Sequence, residues 1–385
     1  MFEYFPKNYV WNLSVDIAIE SGAQIGEIDE MCRPLREAAA RGEDAGTGEF
    51  LRSWVAMADR LVGLAAEDSA HGRKFSAAVK LNRAALYYQT AERMQPHGDP
   101  LRRAVFQQGQ DAFRSAMELG RENYQRIEIP YLQGVIPGFL MNAATAGKPA
   151  PLMVYVNGLD SSKEMLYWSG LGRELLRRGV STLHIDQPGS GEALRVHGLI
   201  ATHDTERWAS KVFDYLETRS DVDLARVGMV GISLGGYYAP RAVACEPRFA
   251  LGAVWGANHN WGEVQLRRLA REGDLPVPHY WEHVRWVWGA QNMEEFMQIA
   301  SHVHLNGILD RVRVPFLVTH GSRDRQIPVA YAQQTYDQLV NSPRRELKLF
   351  DERTSGVEHV SVDNMSYGRS YIADWIAEVF GTQTG

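Results

Sequence analysis

Val227-Gly228-Met229-Val230-Gly231-Ile232-Ser233-Leu234-Gly235-Gly236-Tyr237-Tyr238-Ala239 is the stretch that decides the fold. A short apolar run enters Gly-x-Ser-x-Gly, and a helical stretch leaves it and continues to about Ala244. A serine on such a strand-to-helix turn adopts strained backbone angles, and small flanking residues let strand and helix pass closely. Its hydroxyl then projects into a cleft, with the Leu234 N–H beside it at a helix N-terminus, where negative charge is stabilised. As a bare pattern the motif arises often by chance, and the competing reading is a glycine-rich turn with an incidental serine. The flanking strand and helix give it weight.

Outward from this point the chain repeats the same rhythm. Leu152–Val156 reads as a strand ending at Asn157-Gly158, followed by a helix over about Glu164–Arg178. Thr182–Ile185 is a strand ending at Asp186-Gln187-Pro188-Gly189, followed by a helix over about Glu206–Thr218. Further strands are expected at Leu251–Trp255, Phe316–Thr319 and Glu346–Phe350, with a last helix over Tyr371–Phe380. Strands alternating with helices predict a mostly parallel, doubly wound sheet. Ahead of it, Arg126–Tyr131 and Val135–Leu140 alternate around Gln133-Gly134 and predict an antiparallel hairpin at one edge. The first 125 residues show helical spacing, clearest at Thr47–Ala66 and Ser76–Arg93; Asp99-Pro100 should open a helix reaching about Asn123. One faint tetratricopeptide-like pair within residues 84–117 does not make an array. The expected organisation is therefore a helical domain over 1–125 and a core over 126–385. The strand rhythm lapses at about 258–310, a stretch rich in Trp, His and Arg, which predicts a helical cap where ligands bind in such sheets.

Composition narrows the classes. The 385 residues are 45% hydrophobic and carry a formal charge of −6, which disfavours nucleic acid and anionic membrane surfaces as partners. Two cysteines, Cys32 and Cys245, make no disulfide framework and read as reduced thiols. No signal peptide and no run long enough to span a bilayer is visible, so a cytoplasmic location is expected. No His/Cys cluster has zinc spacing. The Gly-x-Gly of Asp186–Glu192 lacks the rest of a phosphate-binding motif and reads as a tight loop at the cleft. Neither a metal nor a cofactor is expected. His302-Val303-His304 reads as structural or pocket-lining.

A serine hydroxyl needs a base, and in the α/β-hydrolase fold the acid and then the base follow the serine. Asp324, in His320-Gly321-Ser322-Arg323-Asp324, follows the Phe316–Thr319 strand and should emerge on the same rim as Ser233; Asp310 precedes that strand and should lie at the opposite end. His359 follows the next strand, whereas His320 ends a strand and should border the cleft. The expected roles are Ser233 as nucleophile, His359 as base, and Asp324 as the group that orients the imidazole. The oxyanion needs two N–H donors, assigned to Leu234 and, beside Gly158, to Leu159.

These motifs, together with Ala244-Cys245-Glu246-Pro247-Arg248 and Glu358-His359, resemble the 2,6-dihydroxypseudooxynicotine hydrolase group, which includes fungal polyketide-shortening hydrolases, and more distantly the FrsA-like esterases. The resemblance spans roughly residues 75–380. It implies a homodimer, a helical domain and cap over the substrate, and cleavage of a carbon–carbon bond next to a ketone in an aromatic or polyketide-like small molecule. The family's nucleophile, acid and base match Ser233, Asp324 and His359. The cap sequence Asn258-His259-Asn260-Trp261-Gly262-Glu263 is this chain's own. Gly158, His259, Glu263 and Trp261 are expected at the substrate, with His259 or Glu263 polarising a ring hydroxyl; the competing reading is that they serve the cap's own packing.

Three functions follow. The first is a carbon–carbon bond hydrolase, and the second a carboxylesterase or lactonase with the same triad. The third is an inactive hydrolase scaffold that binds a ligand.

Overall fold

The computed structural model describes residues 1–271 and 274–382. Glu272 and Gly273, inside the expected cap, lie outside the described residues. The chain divides into two units, residues 1–124 with 274–283, and residues 125–273 with 284–385.

The larger unit is built on eight strands: β1 Gln125–Tyr131, β2 Gly134–Met141, β3 Ala150–Val156, β4 Ser181–Ile185, β5 Val222–Ile232, β6 Leu251–Trp255, β7 Phe316–Gly321 and β8 Arg345–Phe350. They lie in the order β1-β2-β4-β3-β5-β6-β7-β8. The β1–β2 hairpin is antiparallel and joins β4 antiparallel, while every other pairing is parallel. This is the expected α/β-hydrolase sheet. Every residue of β3, β4, β6 and β7 is buried, which is why those strands read as unbroken apolar runs rather than alternating ones. The register aligns Val156 with Gly231, Ile232 with Trp255 and Trp255 with Thr319, so the loops leaving these strands open on one rim.

Local departures have local causes. The expected helix 164–178 is two helices, Lys163–Trp168 and Leu171–Arg177, parted where Gly170 takes φ 80°. Arg369 donates to the Ser169 carbonyl there at 3.2 Å, a contact no nearby residue announces. The hairpin turn is Leu132-Gln133, with Tyr131 facing Gly134 in the register.

The smaller unit is helical. Its long helices are Thr47–Ala70, Lys74–Arg93 and Arg102–Gly120. The third begins two residues after Pro100, because Asp99 Oδ1 accepts the Leu101 N–H at 2.8 Å and closes a turn instead of capping the helix. Phe5, Trp11, Phe50, Trp54 and Tyr87 form a continuous aromatic chain with successive centroids 5.1, 5.1, 4.8 and 5.6 Å apart. Residues 274–283, expected to be cap, belong to this unit. His279 donates its N–H to Asp44 at 2.6 Å, and Arg93 donates to the Pro276 carbonyl at 3.2 Å. Among the described residues no helix is long and apolar enough to cross a membrane, and no group of side chains could hold a metal ion. Both cysteines are free.

Candidate active site

Ser233 sits between β5 and the helix Gly235–Cys245 with φ 59°, a left-handed conformation that costs a non-glycine residue energy. The turn is held by Ser233 N–H donating to the Trp255 carbonyl at 3.0 Å and Gly236 N–H donating to the Ser233 carbonyl at 2.8 Å. The motif's glycines are steric requirements: a Cβ on Gly231 would lie 2.0 Å from the Gly235 carbonyl oxygen, and one on Gly235 2.9 Å from those of Val156 and Asn157.

His359 Nε2 lies 2.8 Å from Ser233 Oγ, and His359 Nδ1 lies 2.8 Å from Asp324 Oδ2. Asp324 Oδ1 accepts the N–H groups of Gln326 and Ile327 at 2.7 and 3.0 Å. Burial pushes the Asp324 carboxyl up, but His359, His320 and the Ile327 N–H together outweigh burial and hold it below its ordinary value. The geometry thus joins the three residues that the sequence placed on one rim. A proton on Ser233 has a path to His359, and the carboxylate would stabilise the resulting cation.

His320 is wholly buried rather than open to a cleft. Its Nδ1 accepts the Ala257 N–H at 3.0 Å, which leaves Nε2 protonated and pointing at the Ile327 carbonyl, 3.1 Å away. Burial lowers its pKa. Asp310 is exposed in the short turn Leu309–Arg311 before β7.

Gly158 lies against the serine: a Cβ there would be 2.9 Å from Ser233 Cβ. Its N–H is already donated to Ser161 Oγ at 3.0 Å. The N–H groups of Leu159 and Leu234 have no hydrogen-bond partner among the described residues, as groups meant for a ligand oxygen would not.

Three expected substrate contacts have other occupations. His259 is buried, with Nδ1 3.1 Å from Thr335 Oγ1 and Nε2 3.0 Å from Asn306 Oδ1 and 3.1 Å from Gln338 Nε2, so neither ring nitrogen is left for a ligand. Glu263 accepts from Tyr331 Oη and from Arg267, each at 2.6 Å. Trp261 is buried against Trp288 and Phe296, with centroids 5.3 and 5.8 Å away. These residues pack the start of the cap on its own helices and bond it to the helix Ala330–Gln338. The His302 ring lies 5.5 Å from that of His203.

Two supporting groups escaped the sequence reading. Asp363 accepts the N–H groups of Gly356, Val357 and Glu358 at 3.0, 3.1 and 2.9 Å and so shapes the loop that carries His359. In sequence it looks like nothing more than an acidic residue before a helix. The second is a buried ionic cluster beneath the Asn157-Gly158 loop. Lys163 Nζ lies 2.9, 3.1 and 2.9 Å from Glu164, Asp186 and Glu192. Asp186 Oδ1 accepts from Asn157 Nδ2 at 3.1 Å and from the Lys163 N–H at 2.6 Å. Burial raises Glu192, but Lys163 and Arg126 overcome that and hold it down at about 2. The Asp186–Glu192 motif thus builds this cluster, its two glycines lying between the two acidic residues that meet Lys163.

Comparison with known proteins places this geometry. The model of the FrsA-like esterases matches residues 47–256, and that of the prolyl oligopeptidase family matches residues 177–383. "Hydrolyase ccsE" of Aspergillus clavatus is 30% identical over 87% of this chain and 87% of its own. The "2,6-dihydropseudooxynicotine hydrolase" of Paenarthrobacter nicotinovorans is 26% identical over 85% of this chain and 83% of its own. The crystal structure titled as a 2,6-dihydroxy-pseudo-oxynicotine hydrolase superposes with a TM-score of 0.77 at 22% identity, covering 95% of both chains, which shows a shared fold.

Proposed function

From the premise that this chain belongs to the FrsA-like esterase family and is an α/β-hydrolase enzyme, whose core the prolyl oligopeptidase model also matches, we propose that Ser233 is its nucleophile and that it cleaves a carbon–carbon bond next to a ketone. The observation that carries the reading is the pair of 2.8 Å contacts running from Ser233 through His359 to Asp324.

In this mechanism His359 takes the Ser233 proton as Oγ attacks the ketone carbon. The tetrahedral oxyanion is held by the N–H groups of Leu234 and Leu159. Collapse expels a carbanion, which is tolerable as a leaving group only when it is an enolate or an electron-rich ring carbon. The imidazolium returns its proton to that group, and water then hydrolyses the acyl-enzyme. The similarity to the 2,6-dihydropseudooxynicotine hydrolase of Paenarthrobacter nicotinovorans supports an aromatic ketone here. The same reading takes no cofactor, a homodimer and a cytoplasmic location.

The second reading, a carboxylesterase or lactonase, is favoured by the FrsA-like esterase match. The experiment is to incubate the protein and its Ser233→Ala variant with aryl esters and aryl β-diketones and to identify products by mass. Ser233-dependent cleavage of diketones is the expected result. Ester turnover without ketone cleavage would select the second reading. Ligand binding that Ser233→Ala leaves intact, with no turnover of either class, would select a binding scaffold.

A further inference from the structure

Cleaving a β-diketone creates negative charge twice, first on the attacked carbonyl and then on the departing enolate. The N–H groups of Leu234 and Leu159 are assigned to the first. His259 and Glu263, expected to polarise a ring hydroxyl of the substrate, are engaged with Asn306 and Arg267 and with Thr335, Gln338 and Tyr331 of the helix Ala330–Gln338. Between them, Asn260 Oδ1 accepts the Glu263 N–H at 3.1 Å. Asn258 differs from all three. It is only 2% exposed, its Oδ1 is buried without a partner, and its side-chain amide makes no hydrogen bond among the described residues.

Its backbone lies beside the turn that carries the reacting serine. The Asn258 N–H faces the Gly236 carbonyl at 3.4 Å, on the first turn of the helix that Ser233 precedes. Two residues earlier, a Cβ on Gly256 would lie 3.6 Å from the Ser233 nitrogen and 3.7 Å from its Cα. A buried amide without a partner is unfavourable in the free enzyme, and a half-turn of the Asn258 amide about its last torsion puts the Nδ2 donor at the unpartnered position, where a ligand oxygen would complete it.

We infer that the Asn258 side-chain amide is a substrate-binding group that donates to the second carbonyl of a β-diketone, the oxygen that becomes the enolate. The inference rests on the serine-hydrolase reading above. The step balances: the bond from Ser233 Oγ to the first carbonyl carbon forms, and the carbon–carbon bond breaks. Its electron pair moves onto the enolate oxygen held by Asn258. The proton that His359 took from Ser233 ends on the enolate carbon. An ester has no second carbonyl at this place, so Asn258 decides between substrate classes more than it sets the overall rate.

The test compares kcat/KM for benzoylacetone and for phenyl acetate in the wild type, Asn258→Leu and Asn258→Asp, with melting temperatures for all three. Loss of one donor to a developing oxyanion lowers turnover about 100-fold. The diketone-to-ester ratio is therefore expected to fall at least about tenfold in Asn258→Leu, with the melting temperature unchanged or raised, because no protein partner loses a bond. Asn258→Asp, which sets an anion against the enolate, should lower the ratio further. An unchanged ratio overturns the inference. So does a parallel fall for both substrates with a lower melting temperature, the signature of a structural amide. A wild type whose Ser233-dependent turnover is confined to esters overturns the inference and leaves a serine hydrolase. If no turnover depends on Ser233, the underlying reading falls and the inference with it.

Discussion

Gly158 lies so close to Ser233 that a methyl group on it would sit 2.9 Å from the serine Cβ and 3.2 Å from Oγ. The loop after β3 and the turn after β5 therefore fit together only if one of them carries no side chain. Gly158→Ala must displace the serine or the loop. A shift approaching 1 Å at a reacting group costs about 100-fold in rate, so kcat should fall by about that factor while the fold persists. Steady-state kinetics on an aryl ester would check this; unchanged kcat would mean the loop yields freely.

The proposed roles of the three joined residues separate cleanly from those of their neighbours. Ser233→Ala and His359→Ala should each lower kcat by about 10⁴-fold or more, and Asp324→Asn by about 10⁴-fold, through loss of the correct His359 tautomer. His320→Ala should act mainly on stability, because both His320 ring nitrogens already serve backbone groups. Should His320→Ala abolish turnover in a folded protein while His359→Ala retains it, the base assignment is reversed.

Lys163 stands among Glu164, Asp186 and Glu192, and it is only 1% exposed. Removing one partner from a buried ionic group leaves uncompensated charge and costs about 3–5 kcal/mol. Lys163→Met should lower the urea midpoint accordingly. Because Asp186 holds Asn157 and the backbone of Lys163, the Gly158 loop should loosen as well, with kcat falling before the protein unfolds.

Buried His184 supplies a pH dependence. It stacks on Phe139 at 4.6 Å, neither ring nitrogen has a partner among the described residues, and burial lowers its pKa from 6.5 to about 3. Its folded pKa is depressed below the unfolded value, so stability is full above pH 6.5 and is lost as pH falls toward 3. Between pH 7 and 5 this single group should remove about 2 kcal/mol. His184→Leu should therefore gain on the wild type by about that amount over the same interval in urea titrations. Parallel curves at the two pH values would show that His184 does not titrate in this way.

Much of the sheet was legible because a strand buried on both faces must be apolar throughout, and Leu251–Trp255 has the bounds expected of it. The positions of Ser233, Asp324 and His359, which meet in space, were legible because each follows a strand on the same rim. The break at Ser169-Gly170 was not, since its partner Arg369 lies 200 residues further on. Nor was the membership of residues 274–283 in the helical unit, since its anchors are Asp44 and Arg93.

The order of strands and helices, the strained serine turn, and which acid and base could follow it could be read along the chain, because periodicity, steric demand and chain order are local properties. Which polar side chains are already occupied depended on the folded chain. His259 and Asn258 are neighbours in one motif, yet three groups far along the chain meet the side chain of the first and, among the described residues, none meets that of the second. Hydrogen bonding is satisfied between groups that meet in space, and the partners of His259 come from residues 306, 335 and 338, which no local pattern connects to it.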